Sequence, residues 1–230
     1  MKRLLGHVEG ETEETFVNDI LAPHLTSLDY VSVSARIVGN ARQRDRRGGI
    51  RAWESVRNDI IRHLKQDTGA IATTFIDYYG LPQIGNRAWP GRADAGHLPF
   101  AQKASTVEMA LKADIQATLG KGFNINRFVP FVMMHEFEAL LFSDCNAFAN
   151  SMGRPKIASA LQAIRAQFAT PEEINESPIS APSKRVEAII PDYNKPLFGN
   201  IAILEIGLDA IRRECPHFHQ WLTILESHSG

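Results

Sequence analysis

Four acidic residues stand at the ends of apolar runs, where a fold gains little from a charge. Glu9 follows the run Arg3 to Val8, Asp77 follows Ala70 to Ile76, and Glu136 and Glu138 follow Arg127 to Met133. In open α/β sheets the working crevice lies beyond the carboxyl ends of the strands, so these positions count more than residues within the strands. If the three runs are parallel neighbours, the carboxylates converge. Such a cluster repels itself and resists desolvation unless a cation neutralises it. Hard oxygen donors of this kind suit Mg²⁺ or Mn²⁺, which keep several waters and share phosphate oxygens with a substrate. The candidate ligands are Glu9, Asp77 and the pair Glu136 and Glu138, with Glu13 one helical turn after Glu9 and Gly10 between them for a tight turn. A plainer reading is open for part of the set. Glu11, Glu13 and Glu14, and likewise Glu136 and Glu138, suit the positive end of a helix. That reading does not account for Glu9, which precedes a glycine at a strand end.

The elements that must position these residues alternate. Arg3 to Val8 reads as strand one and Thr12 to about Leu25 as helix one, with Phe16, Val17, Ile20 and Leu21 inward. Tyr30 to Val38 is strand two, Ala52 to Lys65 a helix, and Ala70 to Ile76 strand three. A Gly/Pro-rich loop from Tyr79 to Phe100 leads to a helix from Ser105 to Leu119. Arg127 to Met133 is strand four, followed at once by a helix through Glu138, Leu140, Leu141 and Phe142. The last third is helix broken at prolines 171, 178, 182, 191 and 196. This succession predicts an α/β fold with a mostly parallel four-stranded sheet flanked by helices. Residues 1–150 form the expected core, with 151–230 a helical extension packed on it.

Basic residues supply the other half of the chemistry. Arg42, Arg44, Arg46, Arg47, Gly48, Gly49 and Arg51 form a loop just before a helix, where guanidinium groups and exposed amides can hold phosphates. Its affinity for a nucleic-acid backbone would be salt-dependent and sequence-independent. A solvated surface loop is the alternative. Lys184 and Arg185 follow a Pro/Ser-rich stretch, and Lys195 lies just before Pro196. A lysine here is a candidate cation beside a metal, a plain surface lysine being the alternative, and Arg185 is a further phosphate contact. Trp89, Arg92, His97 and Phe100 in the long loop could stack bases or form a lid. His135-Glu136 begins like a zinc-protease signature, but Ala139 stands where the second histidine belongs.

The bulk properties add little selectivity. With 230 residues, 44% of them hydrophobic, the chain can bury one full core, and a net charge of -1 favours no class of partner. No apolar run reaches membrane length and no signal-peptide core follows the start, so a cytoplasmic location is expected. Cys145 and Cys215 read as reduced, inert thiols.

The segment His7-Val8-Glu9-Gly10-Glu11-Thr12-Glu13-Glu14 resembles the VEGxTE opening of Toprim domains of OLD-type nucleases. Together with Phe75 to Pro82, His135 to Phe142 and Pro182 to Arg185, it resembles a bacterial family of Toprim-like proteins of unknown function. The resemblance implies a Toprim-like, Rossmann-like core, a Mg/Mn site and a separately encoded AAA/ABC-type ATPase as partner in a defence or mobile-element setting. It implies a nuclease acting on phosphodiesters, DNA before RNA, with Glu9 or Glu136 moving the proton and Lys184 stabilising charge. One departure stands out: Toprim enzymes place Asp-x-Asp after the third strand, whereas this chain has Asp77-Tyr78-Tyr79. Glu138, and after it Glu136, is the expected substitute. A non-catalytic subunit that binds nucleic acid or an ATPase, and a nucleotide phosphohydrolase or transferase, remain alternatives, and a homodimer is left open.

Overall fold

The apolar run expected as strand three lies inside the sheet. β3 (Ala70–Asp77) has every residue buried, as a strand covered on both faces must. β1 (Lys2–Val8) pairs with it in parallel, and β2 (Tyr30–Ile37) pairs with β1 in parallel at the outer side. The computed structural model that reveals this describes residues 2–38, 50–175 and 180–228. The expected fourth strand is two short pieces, β4 (Phe128–Val129) and β5 (Val132–Met133), both parallel to β3, so the sheet has five strands in place of four. Pro130 interrupts them because it has no N–H to give the ladder. Side chains bridge the gap: Thr74 Oγ1 accepts from Phe131 N at 2.9 Å, and Glu108 Oε1 accepts from Val132 N at 2.8 Å.

Period-two alternation divides the core between the faces of the sheet. Leu4 and Val8 of β1 and Ile71 and Phe75 of β3 face one apolar layer, whereas Ala72 and Ile76 face the other. Helix one covers the first layer as α1 (Glu11–Phe16), a π turn (Val17–Leu21) and α2 (Ala22–Thr26). α3 (Trp53–Gln66) carries side chains of the second layer, with Val56, Ile60 and Leu64 inward at helical spacing.

The long loop is largely packed structure. It contains α4 (Arg92–Ala95) and ends at α5 (Phe100–Leu119), five residues earlier than expected. Trp89 is buried against Trp53 at 4.9 Å, and its Nε1 donates to Arg51 O at 3.1 Å. Arg92 is buried too, its guanidinium 3.8 Å from the centre of the Tyr78 ring. Those two side chains are committed to packing and are not a base-stacking surface.

After β5 the chain forms the helix expected there, as a 3-10 helix, Phe137–Ser143. All seven of its residues are buried, so it has no solvent-facing side. Then follow α6 (Cys145–Ser151), α7 (Ala158–Arg165), α8 (Pro182–Ile189), α9 (Asn200–Glu214) and α10 (Pro216–Ser227). The first apolar layer runs from Leu4 through Leu161, Val186, Ile203 and Ile211 to Leu225. Its centre is aromatic: Phe75 stacks on Phe16 at 5.0 Å and on Phe131 at 5.3 Å, and Trp221 of α10 stacks on Phe131 at 4.7 Å. No helix among the described residues is long and apolar enough to cross a membrane.

Candidate functional site

Parallel pairing places the ends of β1, β3 and β5 on one edge. Val8 pairs with Phe75 and Asp77 with Met133, so Glu9 and Asp77 leave the sheet side by side and the chain from β5 reaches Glu138 a few residues on. Glu9 Oε2 accepts from Asp77 N at 3.4 Å. Gly80 leaves room for that carboxylate: a Cβ there would stand 2.8 Å from Glu9 Oε2. Glu13 reaches back over the first turn of α1, and its Oε2 accepts from Gly10 N at 3.0 Å.

Three of the expected carboxylates, Glu13, Asp77 and Glu138, come together around a lysine. Lys195 Nζ lies 3.3 Å from Glu13 Oε1, 3.4 Å from Asp77 Oδ2 and 3.4 Å from Glu138 Oε2. It comes from a π-helical turn, Lys195–Gly199, that leads into α9, with Asn194 Oδ1 accepting from Leu197 N at 3.2 Å. Asp77, Glu136, Glu138, Ser183, Glu187, Tyr193 and Lys195 line an open cleft of about 240 Å³.

One ammonium does not balance this much acid. Burial, with the charge of Glu13 added, pushes Glu9 up to about 7. Burial likewise raises Asp77 well above the ordinary carboxylate range, with Glu9, Glu13 and Glu138 adding to the rise and Lys195 opposing it. Glu138 is raised for the same leading reason. Burial opposes charging Lys195, yet Asp77, Glu138, Glu13 and Glu9 together outweigh it and hold the ammonium well above the usual lysine range. Glu13 Oε1 and Asp77 Oδ1 are buried and accept no hydrogen bond. Glu13 Oε1 still faces Lys195 Nζ, an electrostatic contact whose geometry falls short of a hydrogen bond.

These oxygens suit a hard divalent cation by type and by their lack of partners. Their present arrangement is set for something else. Among the described residues no group of three or more His, Cys, Asp or Glu side chains stands ready to hold a metal ion. The centre shared by Glu13, Asp77 and Glu138 is taken by Lys195 Nζ.

The other expected residues lie apart from that centre. Glu136 Oε2 accepts from Ser183 N at 3.0 Å, holding the first turn of α8 against the cleft. Lys184, on the same turn, is 54% exposed and pairs with Glu187 at 2.7 Å. Arg185 Nε donates to Ser180 O at 2.8 Å, and its guanidinium lies 5.1 Å from the centre of the Phe168 ring. Arg51 is used internally, donating to Val38 O at 2.9 Å and to Asp59 Oδ2 at 2.6 Å. Arg42, Arg44, Arg46, Arg47, Gly48 and Gly49 lie outside the described residues.

Three cleft residues carry no motif in the sequence: Glu187, the partner of Lys184, and two more. Lys195 is one, 118 positions from Asp77. Tyr193 is the other: its hydroxyl is buried without a partner, and burial with the charge of Glu138 raises its pKa. Beside the cleft His135 is buried, its ring 5.0 Å from that of Tyr79, and burial lowers it to about 4, so it is neutral.

A family model described as a domain of unknown function, DUF4276, matches residues 8–226. Comparison with curated proteins and with solved structures finds no significant match.

Proposed function

The chain belongs to the DUF4276 family of domains of unknown function, and from its site we propose a Toprim-like, Mg/Mn-dependent nuclease acting on nucleic-acid phosphodiesters. The observation that carries the reading is the convergence of Glu13, Asp77 and Glu138 on one cation, with Glu9 hydrogen-bonded to the Asp77 backbone. Glu9, Glu13, Asp77 and Glu138 would hold the metal, Glu138 replacing the missing second aspartate. A bound Mg²⁺ or Mn²⁺ supplies Lewis acidity toward a phosphoryl oxygen and lowers the pKa of water.

The chain's own residues supply the rest. With no cation beside it, Glu9 is raised to about 7 and exchanges a proton near neutral pH; holding the metal would keep it ionised, which leaves the proton transfer to Glu136. Glu136 keeps one oxygen on Ser183 N and so holds the α8 turn, with Lys184 beside it, at the cleft. In this reading Lys184 leaves Glu187 for a substrate phosphate, and the Tyr193 hydroxyl gives the same group a donor.

A single specific observation favours a second reading. Lys195 already neutralises part of the acid, as a non-catalytic subunit that only docks nucleic acid or an ATPase would allow. Purified protein incubated with Mn²⁺ and supercoiled plasmid, single-stranded DNA, RNA or nucleotides, with and without its AAA/ABC-type ATPase, separates the readings. Metal-dependent cleavage that Glu9→Ala reduces by at least about a hundredfold supports the nuclease. No cleavage of any polymer favours the docking subunit, and turnover of nucleotides alone points to a phosphohydrolase.

A further inference from the structure

We propose that Lys195 is a resident counter-ion, whose ammonium fills the position of a divalent cation and must leave before that cation enters. The inference rests on the metal reading above and adds a residue that competes with the metal.

Geometry carries it. The three contacts at 3.3, 3.4 and 3.4 Å are nearly equal, and all are longer than the 2.7 to 2.9 Å of a well-formed charge-assisted bond. The ammonium therefore serves three carboxylates from three elements, and the hydrogen bond that it donates to Asp77 Oδ2 is long, at 3.4 Å. A tight salt bridge would bring one partner well inside the others; here the three are nearly equidistant. Charge points the same way. One positive group stands among four acids, and one oxygen each of Glu13 and Asp77 is buried without a hydrogen bond. Replacing a well-packed buried ion cluster by apolar groups is often neutral or stabilising, so stability alone is a weak reason for this arrangement.

The lysine also has a way out. Its side chain is 33% exposed, against 3% for Glu13 and 2% for Glu138, and it lines the cleft that opens beside them. Four rotatable carbons let the ammonium swing into that cleft while the 195–199 turn stays in place. The acids cannot follow, because Glu13 is tied to Gly10 N and Glu138 lies in a fully buried turn.

Two measurements on the full chain test this. Calorimetric titration with Mn²⁺ compares wild type with Lys195→Met, which keeps length and loses charge. The variant is expected to bind at least about tenfold tighter, because a unit charge within 4 Å of the ion's position is gone. Equal or weaker binding by the variant, with Mn²⁺ binding to wild type, overturns the proposal and leaves the metal reading standing. The second measurement needs no variant. Amine-directed acetylation of the wild type, mapped by mass spectrometry, should rise severalfold at Lys195 when Mn²⁺ saturates the protein, with Lys184 as internal reference. Heat of binding without that rise also overturns it. If Mn²⁺ gives no heat with either protein, the metal reading falls and this inference falls with it.

Discussion

Glu9 lies close against Gly80, and the pair tests the acidic cluster without removing a charge. A methyl group at Gly80 would meet Glu9 Oε2 at 2.8 Å and Oε1 at 3.1 Å. Both atoms end a side chain, so the carboxylate moves and the backbone holds. Gly80→Ala is therefore expected to fold normally by circular dichroism while weakening Mn²⁺ binding by about tenfold, the range seen when a ligand loses its orientation. Unchanged affinity in the titration would remove Glu9 from the set. Glu9, Glu13, Asp77 and Glu138 were legible in the sequence because each closes an apolar run or sits one helical turn beyond it. Lys195 was visible only as a basic residue before Pro196 and Tyr193 not at all: they come from an irregular stretch between Pro191 and Pro196, and only tertiary folding brings them to the cleft. Lys184 drew notice through its motif, yet the lysine among the acids is eleven residues further on in the same region.

Elements were legible where period and length agreed, as in β1, β2, β3 and α3. They were misread where one residue or one buried turn overrode the pattern. Pro130 splits an otherwise continuous apolar run, and the run from Phe137 to Ser143 is buried on every side, Glu138 included, so helical periodicity does not say which helix it makes. The junction between α10 and the sheet was not legible at all. Trp221 Nε1 donates to Thr73 Oγ1 at 2.9 Å, and Thr73 Oγ1 donates to Val129 O at 2.5 Å. Thr73→Val keeps the shape and strands the indole N–H and one bond to Val129 in a dry interior. The expected cost is about 1–3 kcal/mol, read as a lower urea midpoint with an unchanged slope. A midpoint equal to wild type would mean that the indole finds another acceptor.

For the whole molecule, opposing titrations decide the dependence on pH. The raised pKa values of Glu9, Asp77 and Glu138 mean that the folded state holds protons that the unfolded chain gives up near 4.5 and below. Their contribution is fully present below that range and, for Glu9, is lost as pH rises through about 7. The buried histidines act in the other direction: burial lowers His7 to about 3 and His135 to about 4, so they stabilise above the ordinary histidine value of 6.5 and cease to do so as pH falls toward those values. The two effects overlap between about 4.5 and 6.5, so the bare melting curve is ambiguous there. The shift caused by Mn²⁺ is not. It should be small at pH 5 and grow through pH 7 to 8 as the ion stops competing with protons, and Glu9→Gln should flatten that growth; a shift independent of pH would count against the acidic cluster as the binding site. Glu108 has a different bearing on experiments of this kind. Its Oε1 takes Val132 N of β5 and meets His217 Nε2 at 2.9 Å, so the strand that delivers Glu138 and the last helix share one fastening. A clone trimmed before Pro216 would lose that fastening along with Trp221, and the acidic pocket would slacken far from the cut. Silence from such a clone would report a loosened hinge pin, not a missing partner.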